Sequence, residues 1–81
     1  MSKTFHLTIA KIGENLFDGE ALAVSLPGAE GVFEVLANHE AYVSELKEGT
    51  ARVTSVDGTT HDFNIPGGVA EISNNQATIL L

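Results

Sequence analysis

The 81-residue sequence contains no cysteine, no tryptophan, only two prolines and only four cationic side chains. Without cysteine there are no disulfides, no thiolate nucleophile and no cysteine-rich zinc site. With no tryptophan and a single tyrosine, the aromatic stacking platforms of sugar-binding modules are scarce. Lys3, Lys11, Lys47 and Arg52 are scattered along the chain, which leaves no basic stripe to neutralise successive phosphates. Eleven acidic residues give a formal charge of −7, a field that repels phosphate backbones and anionic lipid head groups. Nucleic acid is therefore not a partner on this reading. No apolar run approaches the ~20 residues that cross a bilayer, and the opening Met-Ser-Lys-Thr-Phe-His lacks the apolar region of a signal peptide. The chain reads as cytoplasmic, without direct membrane insertion.

What is present fits one small core. At this length the buried area is marginal for independent stability, and small domains are rescued by disulfides, a metal or association. Disulfides are excluded, so association with other chains is the expected support.

The apolar pattern has the period of strands. Phe5, Leu7 and Ile9 alternate with Thr4, His6 and Thr8, and Leu22, Val24 and Leu26 repeat the alternation before Pro27-Gly28 is expected to stop it. Further strands are expected over 32–36, 41–46, 49–56, 59–65, 69–72 and 76–81. Asp57-Gly58 predicts a tight type I′ turn, and Asn74-Asn75, both tolerant of positive φ, predict another hairpin. Turn signals at 8–12-residue spacing with no sustained helical period describe an all-β fold, a flattened antiparallel β-sandwich or barrel of about eight to ten short strands. Val32, Phe33, Val35 and Leu36, with Tyr42 and Val43 nearby, exceed what a one-sided strand needs. They fit a central strand buried on both faces, or an apolar patch covered by another protein.

No residue pattern reads as catalytic. His6, His39 and His61 lack metal-ligand spacing. His6 and His61 fall on polar faces of strands, whereas His39 lies in a connection, where binding residues concentrate. No serine occupies a nucleophile elbow, and no carboxylates pair locally for acid–base work. Glu45 and Glu48 read as a solvated edge. Gly28-Ala29-Glu30-Gly31 has the spacing of an RNA-clamping loop, but an acidic Glu30 between strands argues for a loop that needs special backbone angles.

Read in order, Phe17-x-Gly19, Val24-x-x-Pro27-Gly28-x-x-Gly31, His39, Gly49 and Gly67-Gly68 resemble the epsilon-subunit family of F-type rotary ATP synthases, and Thr4-Phe5-His6-Leu7 is similar to that family's start. The resemblance covers nearly the whole chain and implies the family's N-terminal β-sandwich. It also implies a non-catalytic place in the central stalk, coupling the gamma subunit to the membrane ring of c subunits during ion-driven ATP synthesis, at the cytoplasmic face of the bacterial inner membrane. No cofactor is implied. By position, Glu30, Gly31, Val32 and His39 correspond to the end facing the ring, and Tyr42 and Ser44 to a strand near the gamma contact. The chain departs from the family around His39. Ala37-Asn38 and Glu40-Ala41 stand where the family commonly has Pro-Gly and Ala-Pro, which removes a preset φ. The sequence over 1–81 is expected to hold the sandwich alone, without the family's C-terminal helical hairpin.

A biotinyl or lipoyl carrier domain is the rival among small acidic β folds. It needs a lysine presented on a hairpin, and neither Lys47 in Leu-Lys-Glu-Gly nor Lys11 in Ala-Lys-Ile-Gly has that setting. A small ligand-binding or hydrolytic β module is the third reading.

Overall fold

The computed structural model describes residues 3–81; Met1 and Ser2 of the opening segment lie outside the described residues. Eight strands are formed among them: β1 (Phe5–Lys11), β2 (Glu14–Gly28), β3 (Gly31–Leu36), β4 (Tyr42–Leu46), β5 (Gly49–Ser55), β6 (Thr60–Ile65), β7 (Gly68–Ser73) and β8 (Gln76–Leu80). No helix in this region is long and apolar enough to cross a membrane.

The expected alternation is realised as burial except at Leu22, which is half-buried while Ala21 is fully buried, because the register shift between Ala21 and Ala23 breaks the alternation there. Phe5, Leu7 and Ile9 of β1, Ala70 and Ile72 of β7, and Ala77 and Ile79 of β8 all point into one core with Val24, Leu26, Val35 and Val53. Removing each large side chain from water contributes roughly 1.5–3 kcal/mol. No charged or polar side chain is buried among the described residues.

The 15-residue β2 organises the layers. Its first half pairs with β1 from Glu14 to Ala21, and its second half pairs with β3 from Ala23 to Gly28. On its other side it pairs with β5 from Ala21 to Ser25, with a register shift between Ala21 and Ala23. One layer is therefore β4-β7-β8-β1 with the start of β2, and the other is β3, the end of β2, β5 and β6. The result is the expected sandwich, with one pair of opposite sense: β1 and β8 run parallel.

Four local expectations are corrected. Residues 14–20 belong to β2 although their side chains are mostly exposed or half-buried, so they carry no apolar alternation. Pro27-Gly28 does not stop β2, because the β5 ladder ends at Ser25↔Arg52 and the proline's missing N–H interrupts no rung there. The Pro27 carbonyl accepts from the Lys47 N–H at 2.9 Å. The Asp57-Gly58 turn is not type I′, since only Gly58 has positive φ, +88°. The Gly58 N–H donates to the Ser55 carbonyl at 2.9 Å, which describes a type I turn followed by a left-handed glycine, the usual three-residue hairpin loop. Finally, β3 is not central: it pairs with β2 alone and leaves Val32 and Leu36 74% and 51% exposed. Asn74 and Asn75, at φ 50° and 60°, do form the expected tight hairpin.

Gly68 shows why a glycine pair precedes the last hairpin. Its φ is +143°, and a Cβ there would strike the Leu80 carbonyl oxygen across the β7–β8 ladder.

Candidate partner-binding site

β3 and β4 do not pair with each other, and β4 meets the end of β2 only at the Gly28↔Leu46 bridge, which opens a cleft between β3 and β4. Its volume is about 460 Å³, and Gly28, Ala29, Glu30, Gly31, Val32 and Phe33 face Tyr42, Val43, Ser44 and Glu45 across it.

One end is closed by the β2–β3 hairpin. Gly28 pairs with Gly31 around the two-residue loop Ala29-Glu30, and the positive φ of the turn, +137°, falls on Gly31. A Cβ on Gly28 would lie 2.6 Å from the Gly31 carbonyl oxygen and 2.9 Å from the Phe33 ring, so only glycine permits this closure. The Ala29 N–H donates to the Glu45 carbonyl at 2.9 Å and ties the hairpin to β4. Glu30 is left exposed at the tip.

The other end is closed by the β3–β4 connection. His39 is half-buried, its N–H donates to the Leu36 carbonyl at 3.3 Å, and its ring lies 6.2 Å from that of Tyr42. The His39 Nδ1 is 2.6 Å from the Glu40 carbonyl oxygen, which can only accept, so Nδ1 carries the proton. Tyr42 stands edge-on to Phe33 at 5.4 Å between centroids. The Ser44 hydroxyl donates to the Glu45 carbonyl at 3.0 Å, within its own strand.

All six sequence-predicted positions thus gather around one cleft. Glu30, Gly31, Val32, Tyr42 and Ser44 line it directly, and His39 borders it through Tyr42. Val43, 65% exposed, adds apolar surface, and Glu45 adds negative charge beside Glu30. The site offers apolar contact, the outer edge of β3 and carboxylates. Among the described residues no group of histidine, aspartate and glutamate could hold a metal ion. A lining of apolar side chains and carboxylates is complementary to an apolar, cationic surface.

Sequence reasoning missed Asn75. Its side chain reaches the β3–β4 connection across 37 positions of sequence, and nothing local announces that contact.

Residues 4–81 match the family model described as the ATP synthase, Delta/Epsilon chain, beta-sandwich domain. The chain belongs to this family. The ATP synthase epsilon chain of Caulobacter vibrioides is 45% identical over 76 residues, covering 93% of this chain and 86% of that protein. The epsilon chain of Hyphomonas neptunium is 36% identical over 80 residues, which span 99% of this chain and 59% of the relative. Among solved structures, a chain of the Euglena gracilis mitochondrial ATP synthase OSCP/F1/c-ring assembly superposes with a TM-score of 0.92 at 26% identity, over 99% of this chain and 51% of the other. A chain of the Tetrahymena thermophila ATP synthase central stalk/c-ring shares the fold, with a TM-score of 0.74 at 15% identity, over 93% of this chain and 60% of its own length. This epsilon-type sandwich thus spans little more than half of several relatives that it matches.

Proposed function

We propose that this sandwich is a non-catalytic rotor component of the ATP synthase central stalk, locking the gamma subunit to the c-ring at the cytoplasmic face of a bacterial inner membrane. The observation that carries the reading is the β3–β4 cleft, which collects Glu30, Gly31, Val32, His39, Tyr42 and Ser44 around two strands that do not pair with each other. Torque transmission requires contact without slip, and an interlocked cleft of apolar walls and carboxylates resists sliding better than a flat polar face. A domain of 81 residues also gains stability from partner surface. The chemistry of nucleotide hydrolysis and synthesis belongs to other subunits on this reading.

The test is association. The purified chain is mixed with a purified gamma subunit of the same synthase and followed by size exclusion and calorimetry. A stable complex is expected, and no complex at tens of micromolar sinks the proposal.

A further inference from the structure

We infer that Asn75 is a positioning residue for the β3–β4 site, its side chain holding the connection that carries His39; the functional consequence rests on the reading of that cleft given above. Asn75 is the second residue of the two-residue β7–β8 turn, with φ 60°. Glycine suits that position best, because both central residues of such a turn require positive φ. An asparagine there keeps a side chain where the turn itself needs none.

That side chain bonds two distant segments. Asn75 Oδ1 accepts from the Asn38 N–H at 2.7 Å, and Nδ2 donates to the Thr4 carbonyl at 2.8 Å. Exchanging the amide's oxygen and nitrogen would break both contacts, so its orientation is determined. The Asn75 backbone carbonyl also accepts from the His6 N–H at 3.2 Å. One residue therefore ties the β7–β8 turn, the start of β1 and the β3–β4 connection.

The tie falls on a connection whose sequence presets little of its backbone. That connection contains no proline to restrict φ, and Asn38 itself adopts φ 63°. The next residue, His39, bonds only near neighbours in sequence, its N–H to the Leu36 carbonyl at 3.3 Å and its Nδ1 to the adjacent Glu40 carbonyl at 2.6 Å. Releasing the Asn38 amide frees His39 to move from Tyr42, and with it the wall that Tyr42 forms against Phe33.

Asn75→Gly and Asn75→Asp test this. Asn75→Gly installs the residue that the turn prefers and deletes the side chain. Its melting temperature is expected to stay near that of the wild type because glycine suits the turn, the Asn38 amide to exchange faster with deuterium, and the affinity for gamma to fall about tenfold, the factor expected when the loosened site holds its binding-competent arrangement about a tenth of the time. Asn75→Asp keeps an acceptor for Asn38 and should lose less. Wild-type affinity in Asn75→Gly overturns the inference. So does a loss of affinity that appears only together with global unfolding, which is a structural role alone. If the wild type itself fails to bind gamma, the functional reading falls separately. Asn38 exchange and the NMR shifts of His39 and Tyr42 then still decide the positioning, and their indifference to Asn75→Gly overturns it.

Discussion

Phe33 and Tyr42 meet edge to face, at 5.4 Å and an interplanar angle of 80°, and so join strands of different layers that share no hydrogen-bonded ladder. The contact joins the two sides of the cleft. Edge-to-face pairs contribute about 0.5–1.5 kcal/mol beyond their buried area.

Tyr42→Ala should lower the unfolding free energy by about 1–2 kcal/mol, since the pair is lost but the tyrosine is already 45% exposed. Urea denaturation reads this. Tyr42→Phe keeps the ring geometry and should retain nearly all of the stability.

Gly68→Ala should be far more damaging. The new methyl would meet the Leu80 carbonyl at a φ of +143°, so the β7–β8 ladder must shift. A loss of about 3 kcal/mol or more is expected, against a whole-domain stability of about 5–15 kcal/mol. An unchanged urea midpoint would mean that the ladder yields without cost.

Glu30→Lys separates binding from folding. A carboxylate at an exposed loop tip contributes within about 0.5 kcal/mol to stability, so the thermal midpoint should hardly move. Association with gamma or with the c-ring should weaken, and more so at low salt than at high salt. Unfolding of this variant would show that the loop has a structural role.

Acid should destabilise the β5–β6 hairpin. Arg52 grips Asp62 with two hydrogen bonds, 2.8 and 2.9 Å, and holds its carboxyl below the ordinary 3.8. Asp57 is likewise lowered by accepting from the Thr59 hydroxyl and N–H at 2.7 and 3.0 Å. A carboxyl with a depressed folded-state pKa contributes stability that is fully present above its unfolded value and is lost as pH falls through the folded value. The urea midpoint should therefore decline below about pH 4, and the Asp57→Asn/Asp62→Asn double variant should flatten that limb. Both hairpin groups are solvent-exposed, so 1 M salt should weaken the Arg52–Asp62 part of the effect.

Period-two alternation was enough to locate β1 and β8, because each buries one face: Phe5, Leu7 and Ile9, then Ala77 and Ile79, while β7 was placed by the Pro66-Gly67-Gly68 break before it. The Asn74-Asn75 turn was legible for the same local reason, as two residues that tolerate positive φ stand between two such runs. The six candidate site positions were readable only through their place in an ordered series of glycines, prolines and a histidine, not through any chemistry of their own.

The sequence by itself determined an all-β chain, the inward residues of its one-sided strands, the Asn74-Asn75 turn and its acidic charge, since each depends on composition or on neighbours a few positions apart. Tertiary structure alone decided that β2 serves both layers, that β1 and β8 run parallel and that β3 lies at a margin. It alone decided, too, that Asn75 reaches back to Asn38 and Thr4. Those outcomes depend on which distant strands pair, and a local hydrophobic pattern says which face of a strand is buried without saying what lies beside it.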